Sequence, residues 1–206
     1  MRYLTDRKRA TGMGSAKSGT AHFWAMKVSA VGLLVLIPLF VVVFFLPFWW
    51  ARPAAAIIFS LAGITDWLDG YYARKLGLTS SFGAFLDPVA DKLMVAVALL
   101  LLVQSEPTPA LAIPAAVIIG REITISALRE WMAELGKSAT VSVSMMGKIK
   151  TTAQMFAIIF LLHRDDWIGI PTYEVGLTLL VIAAGLTLLS MFIYLKASWQ
   201  EMKAGS

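Results

Sequence analysis

Four aspartates are the groups in this chain best placed to do chemistry. Asp66 and Asp69 are spaced i, i+3, and Asp87 and Asp91 are spaced i, i+4, so four carboxylates crowd one short stretch of an otherwise apolar sequence. On helices each pair lies on one face, and two such helices facing each other would gather all four acids in one pocket. Four like charges at membrane depth require a cation. An all-oxygen donor set favours Mg²⁺ or Mn²⁺ over zinc. Gly70 and Ala73 fall on or near the carboxylate face and are small enough for a ligand or a neighbouring helix to approach the backbone. Arg74 follows one turn past Gly70, where a fork of donors could hold a phosphate. Carboxylates, a divalent ion, small residues and an arginine together point to phosphoryl transfer. The bland alternative is a solvated loop or structural ion pairs. It is disfavoured because these acids flank and enter long apolar runs, where ionisable groups are costly and functional by default.

Arg121, Arg129, Lys148 and Lys150 form a second set. Arg121 and Glu122 lie deep enough in an apolar run to need partners. Basic residues beside a carboxylate–metal pocket could bind a phosphorylated acceptor. For Arg129, Lys137 and Glu134, ordinary topology signals and Arg–Glu pairing explain the charges at least as well. For Arg121, Lys148 and Lys150 the functional role is the better account.

The elements that must carry these residues are helices. The chain has 206 residues, 58% of them hydrophobic, with a formal charge of +5 and mean hydropathy +0.74. That is too apolar for an ordinary soluble domain and indicates one all-α, polytopic membrane domain. Cysteine is absent, which excludes disulfides and thiol chemistry. The positive charge fits cytoplasmic loops better than nucleic-acid binding. Residues 1–27 carry six Lys or Arg among Gly and Ser and read as a disordered basic tail. A signal peptide is the rival for this end of the chain. Val28 to Leu46, however, is a long uncharged run followed by Phe48, Trp49 and Trp50, with no small-residue cleavage site, which describes a first spanning helix. Five more helices are expected at about 53–72, 82–103, 110–132, 147–162 and 173–195, so the membrane domain covers 28–196 and 197–206 form a short tail. Lys75 to Ser81 reads as a turn, and Gln104–Pro109 and His163–Thr172 as polar loops. With the N-terminus inside, inner segments hold fourteen Lys and Arg and outer loops hold only Arg52 and Arg164. That bias places both termini and the four acids at the cytoplasmic face. Trp49, Trp50, Trp131, Trp167 and Trp199 read as interfacial belt residues, the methionines as packing, and His22 and His163 as neither ligands nor bases.

The pattern D-x2-D-G-x2-A-R-x8-G-x3-D-x3-D, filled at every position from Asp66 to Asp91, resembles the signature of the CDP-alcohol phosphotransferases. The resemblance implies a six-helix integral membrane enzyme, commonly a homodimer, that moves a phosphatidyl or similar group from a CDP-linked donor to an alcohol and releases CMP. It further implies that Asp66, Asp69, Asp87 and Asp91 hold two Mg²⁺ or Mn²⁺ ions against the donor pyrophosphate. Asp91, the last acid of the motif, takes the acceptor's proton. Asp69, Gly70, Ala73, Arg74, Ser80 and Gly83 contact the CDP donor. The segments Arg121 to Lys137 and Gly147 to Met155, with 36–50 and 65–100, are similar to bacterial members whose donor is CDP-diacylglycerol and whose acceptor is sn-glycerol 3-phosphate. This likeness covers about 33–196 and assigns the acceptor phosphate to Arg121, Arg129, Lys148 and Lys150 in a bacterial cytoplasmic membrane, among membrane lipid. One departure stands out. A Pro-Asn-x-x-Thr-x-x-Arg motif is expected just before the first helix, and Phe23 to Gly32 lacks its Asn, Thr and Arg, with Lys27 and Ser29 the nearest polar residues.

Three alternatives stay open on sequence alone. A cation transporter or channel would spread its acids across membrane depth. A non-catalytic lipid-binding relative would explain the missing N-terminal motif. Within the enzyme class, cardiolipin, phosphatidylserine or phosphatidylinositol synthesis would change only the acceptor.

Overall fold

The computed structural model describes residues 35–76, 81–134, 145–165 and 169–204. The basic N-terminal segment, Ser80, Lys137 and Trp167 lie outside them. Among the described residues six helices follow in order: α1 (Val35–Phe44), α2 (Ala51–Leu76), α3 (Ser81–Ser105), α4 (Pro109–Glu134), α5 (Met145–His163) and α6 (Thr172–Ala204).

Local chemistry sets several of the ends. Thr108 precedes α4, and its carbonyl accepts the amides of Leu111 and Ala112 at 3.1 and 2.9 Å. Pro109 then occupies the first helical position, where its missing N–H costs nothing. At the end of α5, Arg164 takes the left-handed conformation with φ 65°, and its amide bonds the Phe160 carbonyl at 3.0 Å, closing the last turn. The Thr172 hydroxyl donates to the Asp165 carbonyl at 3.0 Å, which fixes the entry to α6. Two helices run further than the apolar pattern indicates. α2 continues past Tyr72 to Leu76, and α6 past Leu195 to Ala204. Both extensions lack Gly and Pro and are rich in Ala, Lys, Arg, Glu and Met, so helix propensity carries on after hydrophobicity ends.

All six helices contribute to one core. Phe40 of α1, Phe59 of α2, Leu99 of α3, Ile118 of α4, Ile158 and Leu162 of α5 and Leu180 of α6 are fully buried. The Phe40 and Phe59 rings sit 6.3 Å apart and tie α1 to α2. The α5–α6 hairpin is the most closely packed pair. A Cβ on Gly176 of α6 would lie 2.9 Å from Leu161 Cγ and 3.1 Å from the Ala157 carbonyl oxygen, so only glycine lets the two backbones come this close.

The exterior is as apolar as the interior. Val42, Leu100, Ile113, Ile123 and Phe192 are among many large apolar side chains left exposed. Water would penalise such a surface, whereas lipid matches it. Two stretches, Pro109–Met132 and Thr172–Lys196, are long and apolar enough to cross a bilayer on their own. Trp49, Trp50, Trp131 and Trp199 are exposed near helix ends, as belt residues would be.

One end of the bundle is marked by charge. Glu106, in the turn between α3 and α4, pairs with Arg164. Arg52, at the start of α2, lies 4.2 Å over the Phe44 ring. Arg52, Ser105, Glu106, Leu111, Arg164 and Tyr173 are among the residues lining one small cavity. The starts of α2, α4 and α6 and the ends of α3 and α5 therefore meet at a common level.

Candidate active site

That level gives a ruler. At a rise of about 1.5 Å per residue, Asp66 and Asp69 stand roughly 22–27 Å along α2 from Ala51, and Asp91 and Asp87 stand roughly 21–27 Å along α3 from Ser105. On the same rise Arg121 stands roughly 18 Å along α4 from Pro109, and Lys150 roughly 20 Å along α5 from His163. The acidic and basic sets therefore share a depth. The four acids fall within about one helical turn of one another along the bundle. They occupy a layer, not a path across the membrane.

The tip of the Met155 side chain on α5 lies against Gly63 of α2. A Cβ on Gly63 would stand 2.6 Å from Met155 Cε. The two helices run in opposite directions, so Asp66, three residues beyond Gly63, and Lys150, five residues before Met155, both lie on the same side of this contact. The backbone thus brings the acidic and basic stretches of α2 and α5 to a shared depth. Asp66, Asp69, Asp87, Asp91, Gly70, Ala73, Arg74 and Gly83 all lie on helical backbone of α2 and α3, as the motif requires. Their side chains, and that of Lys148, lie outside the described residues. Among the described residues no cluster of metal-ligating side chains occurs.

The basic set resolves into a built cluster and an outlier. Glu122 Oε1 accepts Arg121 Nη1 at 2.8 Å and Lys150 Nζ at 2.9 Å. The Lys150 side chain is 3% exposed, Arg121 15% and Glu122 25%. Arg121 Nη2 makes a longer contact of 3.3 Å to Ser190 Oγ on α6, and that hydroxyl donates to the Thr187 carbonyl at 2.9 Å. Arg121 Nε, Gln154 Oε1 and Thr187 Oγ1 are buried without hydrogen-bond partners among the described residues. A polar seam therefore runs between α4, α5 and α6 inside an apolar bundle, with two cations on one carboxylate. Arg129 stands apart from it. It is exposed, and its guanidinium lies 5.5 Å over the Tyr194 ring, a cation–π contact between α4 and α6.

Lys92, next to Asp91 on α3, donates to Ser126 Oγ on α4, and Ser126 in turn donates to the Glu122 carbonyl at 2.5 Å. The helix carrying the second acid pair is thus tied to the helix carrying Arg121 and Glu122. Sequence reasoning singled out Arg121, Glu122 and Lys150 but not the bond between Glu122 and Lys150, which are remote along the chain. It also missed the Lys92–Ser126 tie. The only sequence signal for either was the presence of polar residues inside apolar runs. Gly63 gave no signal distinguishable from ordinary small-residue helix packing.

The described backbone thus carries an acid motif and a buried basic cluster within one helical bundle. The chain belongs to the CDP-alcohol phosphatidyltransferase family, whose profile matches residues 23–195. The match begins at Phe23, so it includes the segment that lacks the expected N-terminal motif. Several relatives carry the name CDP-diacylglycerol--glycerol-3-phosphate 3-phosphatidyltransferase. The one from Sodalis glossinidius is 53% identical over 169 residues, covering 82% of this chain and 91% of the relative. The one from Yersinia enterocolitica is 53% identical over 170 residues, again 82% and 91%. The one from Salmonella typhimurium is 53% identical over 166 residues, covering 80% and 89%.

Proposed function

We propose that this chain transfers the phosphatidyl group of CDP-diacylglycerol to sn-glycerol 3-phosphate, giving phosphatidylglycerol phosphate and CMP. The observation that carries the acceptor is the Arg121–Glu122–Lys150 cluster. Among the described residues two largely buried cations share one carboxylate, so this cluster carries one positive charge in excess. An uncharged acceptor such as inositol has no use for that charge, whereas a phosphate dianion does. The relatives' name points the same way.

The four aspartates are suited by type and register to hold two Mg²⁺ or Mn²⁺ ions, because helical backbone at 66–69 and 87–91 puts each pair on one face and every donor is oxygen. Bound there, the ions would neutralise charge on the pyrophosphate and the departing CMP. Asp91 accepts the proton of the acceptor hydroxyl. The acceptor oxygen forms a bond to the β-phosphorus, and the bond from that phosphorus to the bridging oxygen of CMP breaks. Gly70, Ala73 and Gly83 leave room for the CDP moiety, and Asp69, Arg74 and Ser80 contact it. Arg121, Lys148 and Lys150 receive the acceptor's phosphate. Arg129, turned onto Tyr194, sits at the margin of this group.

In this reading the protein spans the bacterial cytoplasmic membrane six times as a homodimer. Both termini and the site face the cytoplasm, and the Arg52–Glu106–Arg164 end faces outward. The positive-inside bias supports that orientation. The test uses the full chain in detergent–lipid micelles with CDP-diacylglycerol and labelled sn-glycerol 3-phosphate. Label should enter the lipid phase in step with CMP release. Lipid labelling only from serine or inositol would reject this acceptor.

A further inference from the structure

We propose that Glu122 is a positioning residue for the acceptor, holding Arg121 by Nη1 so that its Nε–Nη2 edge is presented to a phosphate. The inference rests on the assignment of Arg121 and Lys150 to the acceptor's phosphate. It goes beyond that assignment by giving a role to an anion in an anion-binding site.

The donors of Arg121 are used unevenly. Nη1 is engaged by the Glu122 carboxylate at 2.8 Å. Nη2 has a single long contact of 3.3 Å to Ser190, and Nε is buried with no partner among the described residues. In a planar guanidinium, Nε and Nη2 lie on one side and form a fork that matches two oxygens of a phosphate. The edge with spare donors is therefore the one suited to bidentate binding, and the edge pointing away from it is pinned.

The carboxylate also makes the cluster tolerable without ligand. Two buried cations with no counter-charge would carry a heavy desolvation cost. Glu122 offsets that cost through a single oxygen shared with Lys150 Nζ at 2.9 Å. Among the described residues one carboxylate serves two cations, so the cluster keeps one positive charge in excess to attract a dianion. A purely structural ion pair would need one cation, and would not leave a buried guanidinium Nε without a partner among the described residues.

The experiment measures equilibrium dialysis of labelled glycerol 3-phosphate against the purified full chain, alongside steady-state CMP release. Glu122→Gln should weaken glycerol 3-phosphate binding about tenfold or more. The apparent KM for this acceptor should rise by a similar factor, while the KM for CDP-diacylglycerol and kcat at saturating acceptor stay within about threefold. Glu122→Asp keeps the charge but draws it back by one methylene, and should weaken binding by an intermediate factor. It decides the matter if the Gln variant does not fold. Unchanged glycerol 3-phosphate binding in the folded variant, or a fall in kcat with acceptor affinity intact, overturns the proposal. If the wild type binds glycerol 3-phosphate but transfers only to another alcohol, the proposed reaction fails. A loss of that binding in Glu122→Gln then still supports Glu122 as the positioning residue.

Discussion

Two clusters in this molecule share a charge formula and differ in almost everything else. Arg121 and Lys150 gather around Glu122 in the middle of the bundle, and Arg52 and Arg164 gather near Glu106 at its end. In the first, the lysine is 3% exposed and both cations bond one oxygen. In the second, half of the Arg164 side chain is exposed, and Arg52 is turned onto the Phe44 ring. Coulomb attraction in the high dielectric of the second cluster is weak, so it ties loops together and marks a membrane face. The same charges desolvated between helices become expensive. Charge stoichiometry alone does not separate the two, and neither does the carboxylate, 21% exposed in Glu106 and 25% in Glu122. Burial of the cations does.

Substitutions at the acids and at the buried cations break that contrast most severely. Asp66→Asn and Asp87→Asn should lower CMP release by about a hundredfold or more, since an amide cannot supply the charge that holds a divalent ion. Near-normal turnover in either folded variant would remove the acid layer from the site. Arg121→Ala or Lys150→Gln should raise the apparent KM for glycerol 3-phosphate about tenfold or more, as expected for losing a charge-assisted phosphate contact, with donor KM changed far less. Loss of donor affinity with acceptor affinity kept would move the basic cluster to the nucleotide side.

The smaller effects concern packing and the charged end. Gly176→Ala forces a methyl group against backbone and Leu161, so thermal denaturation in detergent should show a destabilisation of about 1–3 kcal/mol. An unchanged midpoint would mean that the α5–α6 hairpin is looser than described. Arg164→Gly gives up an exposed ion pair, about 0.2–1 kcal/mol, and relieves a left-handed non-glycine backbone worth about 1–2 kcal/mol. Its net effect on stability should be small and its effect on turnover negligible. A large loss of activity would show that the charged end is coupled to the site after all.

The parts legible in the sequence were those governed by local pattern. Six apolar runs gave the helices, and the ends of the polar loops 104–109 and 163–172 gave two of their starts within a residue. The acid motif gave its own helical register. The α6 extension from Lys196 to Ala204 was missed because the boundary was set by hydrophobicity, whereas the backbone followed helix propensity. Glu122's grip on Lys150 and the gathering of Arg52, Glu106 and Arg164 depend on how separate helices register against each other. That register follows from packing between helices, such as the backbone approach of α6 to α5 at Gly176, which a single sequence does not reveal. Arg129 illustrates the converse. Grouped by sequence with the acceptor residues, though with topology as an equally good account of its charge, it is directed onto Tyr194.

The central claim is that the aspartate layer and the Arg121–Lys150 cluster are two walls of one pocket. Paramagnetic relaxation of the ³¹P signal of glycerol 3-phosphate by Mn²⁺ tests it directly. With the full chain in micelles, the account predicts strong Mn²⁺-dependent relaxation of protein-bound glycerol 3-phosphate. That relaxation should be lost in Asp66→Asn, which sheds the ion, and in Arg121→Ala, which sheds the phosphate. Bound glycerol 3-phosphate that relaxes no faster with Mn²⁺ on the wild-type protein would place the two ligands apart and contradict the account.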